Sequence, residues 1–135
     1  MAGFDRTDGA DVLDLAALRR AVRGCTAIVH LAALANDSAA SPEQIMAVNV
    51  LGTWHVLLAA EAAGVTRVIC FSSVQVFGIA EGERLPDYFP VDDARPCRAM
   101  RPYGLSKPAG RGSVRGFHRT DGDRHGVPAP GGGLG

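Results

Sequence analysis

Two short apolar runs, Thr26–Leu31 and Val65–Phe71, bracket a helical pattern from Pro42 to Ala63, and that spacing constrains the fold more than any other feature of the chain. Both runs have strand length and are rich in β-branched residues, which suits buried strands. A strand, a crossover helix and a second strand bring the chain back to the same end of a sheet, so the two strands lie parallel with helices over them. The expected class is α/β: part of a doubly wound parallel sheet with flanking helices.

The remaining segments fit that plan. Met1–Asp5 reads as the end of a strand and Ala10–Leu13 as a second, short one. Leu15–Val22 reads as a helix, with Asp14 placed to cap it and Gly24 just past its end. Pro42 suits the first turn of the long helix, Ile45, Val48, Val56 and Leu57 are among its apolar positions, and Gly64 stops it. The second apolar run delivers Ser72 and Ser73 at its carboxyl end, where doubly wound sheets place their ligands. From Pro108 onward the periodicity dissolves into Gly, Arg, Pro and Asp, with Val114, Phe117, Val127 and Leu134 as isolated apolar residues. Residues 1–107 are thus expected to form one partial domain and 108–135 a disordered tail, aberrant or frameshifted in origin. Pro108 is expected to disturb helical geometry at Lys107.

Composition narrows the function classes. The formal charge is balanced and there is no nucleic-acid signature, and no apolar run approaches the ~18 residues that cross a bilayer. The first residues carry no basic leader or signal-type core, and Cys25, Cys70 and Cys97 are too few and scattered for a disulfide framework or zinc cluster. A reducing, cytoplasmic setting is expected. His30 reads as a core or strand-end histidine, with no second ligand to make a metal site.

The chemistry concentrates in Tyr103-Gly104-Leu105-Ser106-Lys107. Four residues apart on a helix, Tyr103 and Lys107 share a face, so the ammonium sits near the phenol and favours its ionised form. A phenolate is a usable base, and Ser73 could hold a substrate hydroxyl while it loses its proton. Taken alone, such a pair is more often a solvated helix face. Asn49 stands in an otherwise apolar helix, where an amide is costly unless hydrogen-bonded, so a structural or active-site role is expected for it.

Four linked segments carry a resemblance: Ile28-Val29-His30-Leu31-Ala32-Ala33, Asn49-Val50-Leu51-Gly52-Thr53, the run from Val68 through Ser72-Ser73 to Phe77-Gly78, and Pro102-Tyr103-Gly104-Leu105-Ser106-Lys107. In that order and at those spacings, over residues 1–107, the chain resembles the NAD-dependent epimerase/dehydratase family, the extended short-chain dehydrogenase/reductases. The resemblance implies a Rossmann-like fold and a catalytic set of Ser73, Tyr103, Lys107 and Asn49, with Tyr103 and Lys107 also touching the cofactor. It implies NAD in preference to NADP, because Asp5 would accept from the adenosine ribose hydroxyls and repel a ribose phosphate; a solvated turn is an equal reading of Asp5. Asp11 and Val12 match the adenine-contacting pair, and Asp11 could equally be an exposed strand end. Leu31, Ala32 and Ala33 would let the dinucleotide approach the backbone, or are ordinary small-residue packing.

The implied reaction is redox at a carbinol carbon of a small-molecule substrate, a nucleotide sugar, in a family-type homodimer. Val74 and Gln75 stand where sugar-nucleotide dehydratases resembling this family carry Asp and Glu, which disfavours dehydration, and Phe77 replaces a usual tyrosine. The segment Glu81–Met100 is expected to reach toward the substrate. The family's glycine-rich amino-terminal turn and carboxyl-terminal substrate lobe are absent from this sequence, so a fragment is expected. An inactive truncated fragment and a non-catalytic dinucleotide-binding module are the alternative readings.

Overall fold

The computed structural model describes residues 3–79, 85, 88–92 and 94–110. Helix α1 is Leu15–Ala21; the Asp14 carboxylate accepts the Ala17 N–H at 2.9 Å, and Gly24 turns the chain away with a φ of 74°. Strand β1 is Ile28–His30. Ser41 starts helix α2, Pro42–Met46, through a capping box with Gln44, in which each side chain accepts from the other residue's backbone N–H. One wider π-type turn, Ala47–Leu51, leads into α3, Gly52–Ala62. Strand β2, Val68–Cys70, pairs parallel with β1 in the register Ile28↔Val68, Val29↔Ile69, His30↔Cys70. Residues 102–110 form a further helix, α4.

The core lies between α1, α3 and one face of the sheet, where Leu18, Val22, Val56, Leu57, Ala59, Ala60, Val65 and Val68 are buried together. Helix α3 meets α1 on one side and β1 on another, so it is apolar over much of its circumference. The continuous run Pro42–Ala62 is in fact long and apolar enough to cross a membrane by length and composition, contrary to the expectation of no such run. A core helix packed on two sides satisfies the same test. On the other sheet face Val29, Leu31, Ile69 and Phe71 are each more than half exposed.

Three expectations are corrected. Gly3–Asp5 is not a strand; Asp5 is extended, but a 3₁₀ turn, Arg6–Asp8, follows directly. Ala10–Leu13 is a turn, because the Asp11 carboxylate accepts the Leu13 N–H at 2.8 Å and the Asp11 carbonyl accepts the Asp14 N–H at 3.0 Å. These local bonds satisfy the backbone where no neighbouring strand among the described residues does. The third correction concerns Pro108, through which α4 runs on to Gly110. Tyr103, Gly104, Ser106 and Gly110 are all buried, so packing on both sides of the proline overrides its local preference. The rest of the expected tail, 111–135, lies outside the described residues, as do Met1 and Ala2.

Candidate active site

The carboxyl ends of β1 and β2 open on a cavity of about 150 Å³. His30, Leu31 and Ala32 line it from β1, and Cys70, Phe71 and Ser72 from β2. Asn49 and Thr53 close it from the central helix run, and Ser106, Lys107 and Gly110 from α4. Its placement follows from topology, because parallel strands present all their carboxyl ends on one edge.

Helix α4 is set against this edge by packing and by a cap. A Cβ on Gly104 would stand 2.9 Å from the Gln75 carbonyl oxygen, so glycine there lets α4 approach the 3₁₀ turn Val74–Phe77. The Asp37 carboxylate accepts the Tyr103 N–H at 2.7 Å, and the Lys107 ammonium lies 5.4 Å from the centre of the Tyr103 ring. Tyr103 is buried. The shared helix face expected for this pair is thus present, with the cation at cation–π range of the phenol.

A polar network ties the helices together. The Asn49 amide oxygen accepts the Leu34 N–H at 2.8 Å, while its Nδ2 donates to the Leu34 carbonyl at 3.0 Å and to Ser106 Oγ at 2.9 Å. Ser106 Oγ donates in turn to the Tyr103 carbonyl at 2.7 Å. Asn49 is buried and fully bonded, which answers the cost of an amide in an apolar helix. Thr53 Oγ1 donates to the Asn49 carbonyl at 2.6 Å. With that hydrogen committed, His30 Nε2, 2.9 Å away, is the donor to Thr53 Oγ1. Asn49 sits within the π-type turn, a local widening that recurs at functional sites.

Burial governs the charges here. Desolvation lowers the Lys107 pKa below its ordinary value, opposed by the neighbouring Cys70. Desolvation pushes the Cys70 thiol up, opposed by Lys107. The His30 pKa is lowered first by desolvation and then by the Lys107 charge, so its neutral form is favoured in the fold. The sign is then fixed: below its ordinary value of 6.5 the unfolded chain takes up a proton that the folded chain resists. His30 should therefore cost stability as pH falls through that value, by at most about 1.4 kcal/mol per pH unit. Urea unfolding from pH 7.5 down to pH 5, on the order of the range where histidine titrates, should show a shallower loss for His30→Asn than for the wild type.

The residues anticipated from sequence divide into two groups. Leu31, Ala32, Asn49 and Lys107 line the cavity, and Tyr103 lies beside Lys107. Ser72 lines it too, whereas Ser73 caps the Val74–Phe77 turn by accepting the Gln75 N–H at 3.2 Å. Ala33 is half-buried and outside the lining. Asp5 is exposed, its carboxylate accepting both the N–H and the hydroxyl of Thr7 at 2.8 and 2.7 Å, which lowers its pKa. Asp11 is exposed in its turn and Val12 is buried with a methyl against Gly52, both away from the cavity lining.

From the segment 81–100, residues 85, 88–92 and 94–100 are described, and Arg95 and Arg98 meet the Val74–Phe77 turn. Arg98 N–H donates to the Val76 carbonyl at 2.8 Å, and the Arg95 guanidinium lies over the rings of Phe77 and Tyr88 at 6.0 and 5.6 Å. Thr53, Ser106, Cys70 and Asp37 were not anticipated as site residues. Thr53, one turn from Asn49, and Ser106, inside the Tyr–Lys segment, were within reach of spacing; Asp37 carries no local signal.

A parallel strand–helix–strand unit with a cavity at its strand ends and a Tyr–Lys pair on an adjoining helix is the layout of Rossmann-type dehydrogenases and reductases. Residues 4–127 match the NAD dependent epimerase/dehydratase family, and the chain belongs to that family. It is 35% identical over 118 residues to a uronate dehydrogenase of Pseudomonas putida, covering 87% of this chain and 40% of that protein. It is 35% identical over 102 residues to a UDP-glucose 4-epimerase of Bos taurus, covering 72% and 28%. Among solved structures, a short-chain dehydrogenase/reductase superfamily protein of Agrobacterium tumefaciens with bound NAD superposes with a TM-score of 0.72 at 37% identity, over 82% of this chain and 33% of that one. A dTDP-glucose 4,6-dehydratase of Streptomyces venezuelae with NAD bound gives 0.73 at 33% identity, over 84% and 34%. The chain thus spans two fifths or less of the length of these relatives.

Proposed function

We propose that this chain carries the proton-transfer part of an NAD-dependent oxidoreductase that acts on a carbinol carbon of a nucleotide sugar or related sugar acid. The observation that carries the reading is the Lys107 ammonium 5.4 Å from the Tyr103 ring, at a cavity on the carboxyl edge of a parallel sheet. The residues suit a dinucleotide: Ala32 leaves the backbone after β1 open to close approach, and Lys107 and Ser72 offer donors to ribose hydroxyls. Bound NAD supplies the hydride acceptor.

In this reading Lys107 favours the Tyr103 phenolate electrostatically, and the phenolate takes the substrate hydroxyl proton. The carbon-bound hydrogen leaves with its electron pair, so the alcohol becomes a ketone. Ser73 holds the hydroxyl and Asn49 fixes α4 through Ser106. Ala33 borders the dinucleotide path, while Asp5, Asp11 and Val12 belong to its adenosine end, with Asp5 favouring NAD over NADP. Val74 and Gln75 offer no carboxyl group for water elimination, which supports oxidation or epimerisation over dehydration.

A sugar substrate with deuterium on the reacting carbon, incubated with the chain and NAD, tests the proposal by mass spectrometry of the nicotinamide. Label on the ring is expected. Bound but unlabelled dinucleotide would leave a binding module without turnover.

A further inference from the structure

Tyr103 is held at both of its peptide groups. Its N–H donates to Asp37 Oδ1 at 2.7 Å, and its carbonyl accepts from Ser106 Oγ, itself an acceptor from Asn49. Asp37 lies 66 positions away in sequence, in the loop that leaves β1 through Leu31, Ala32 and Ala33. Asn49 grips Leu34 in that same loop at both its N–H and its carbonyl. Asn36 then accepts from the N–H and hydroxyl of Ser38, at 3.0 and 2.8 Å, which fixes the turn that presents Asp37. The loop bordering the cavity and the backbone of Tyr103 are therefore joined at two points.

The Asp37 bond is the more directional of the two. A carboxylate meeting a backbone N–H at the amino end of a helix makes a short, charge-assisted bond in a favourable dipole field. Its second oxygen, Oδ2, is shut off from solvent without a hydrogen-bond partner, so the carboxylate depends on the Tyr103 amide to offset its desolvation.

Resting on the dinucleotide reading of the cavity, we infer that Asp37 is a positioning residue that sets the Tyr103 phenol against the loop Leu31–Ala33. Occupancy of that loop and placement of the phenol are coupled through it. A dinucleotide seated on Leu31 and Ala32 stiffens the loop, and the stiffened loop holds α4 at its amino end. Conversely, freeing Tyr103 from Asp37 loosens the loop and weakens the dinucleotide.

The test uses the full chain as wild type, Asp37→Asn and Asp37→Ala, with amide NMR, hydrogen exchange and NADH fluorescence titration. In the wild type the Tyr103 amide proton should lie well downfield and be protected from exchange. In Asp37→Asn, which keeps an acceptor, it should stay protected. In Asp37→Ala, exchange at Tyr103 should rise about tenfold or more and NADH affinity fall about tenfold, with Asp37→Asn within about twofold of wild type.

A lower melting temperature in Asp37→Ala with unchanged NADH affinity would make Asp37 a structural cap and overturn the inference. If Asp37→Ala does not fold, the wild-type exchange decides, since a Tyr103 amide that exchanges freely overturns the inference without any variant. Wild type that binds no NADH defeats the dinucleotide reading and the coupling together. Wild type that binds, with equal affinity in all three proteins, defeats the Asp37 inference alone.

Discussion

Replacing Tyr103 with phenylalanine is expected to lower nicotinamide reduction by a sugar substrate by about 10²–10⁴-fold while NADH affinity stays within about twofold, the signature of a lost general base. The ring is buried and packs on α4 beside Lys107, so the change removes one oxygen and leaves the shape of the site intact. The Asp37 cap and the Ser106 bond both engage the Tyr103 backbone, which phenylalanine keeps. Steady-state turnover and NADH titration on the same preparation separate the two effects. Turnover that survives the substitution would move the base elsewhere.

The second large effect is on stability, at Gly78. This residue ends the Val74–Phe77 turn at a φ of 67°, in the left-handed region. A Cβ there would drive into the carbonyl oxygen of Arg98, whose own N–H is held by the Val76 carbonyl. Gly78→Ala should therefore cost about 1–2 kcal/mol for the backbone and a further ~1–3 kcal/mol for the collision. Gly24 supplies the control, because its φ is 74° but nothing lies within 4 Å of an added Cβ. Gly24→Ala should cost about 1–2 kcal/mol, and urea unfolding midpoints compare the two. Equal midpoints would mean that the segment around Arg98 yields without cost.

Much of the fold could be read from the residues because its signals are local. Asp14 and Gly24 bound α1 as their side-chain chemistry dictates, and the apolar runs at Thr26–Leu31 and Val65–Phe71 contain the two strands, although the paired portions are shorter. Ser41 and Gln44 spell a capping box that is legible once sought. The failures are non-local. Whether Ala10–Leu13 pairs depends on a neighbour that the local pattern does not contain, and the Asp11 turn settles it the other way. Pro108 reads as a breaker until Ser106 and Gly110 are seen to be buried around it.

The candidate site divides along the same line. Tyr103 and Lys107 were legible because helical spacing alone puts them on one face, and Asn49 because an amide in an apolar helix demands partners. The identity of those partners, Leu34 and Ser106, requires the tertiary fold. So does Asp37, which comes to Tyr103 across 66 positions.

An NADH titration of the wild type against Lys107→Ala asks whether the cavity beside Lys107 takes a dinucleotide. Melting curves of the two proteins verify that any lost binding is not unfolding. Saturable NADH fluorescence is expected in the wild type, with an affinity lower by about tenfold or more in Lys107→Ala. Absence of saturable binding in the wild type, or equal affinity in the two proteins, would contradict the dinucleotide reading.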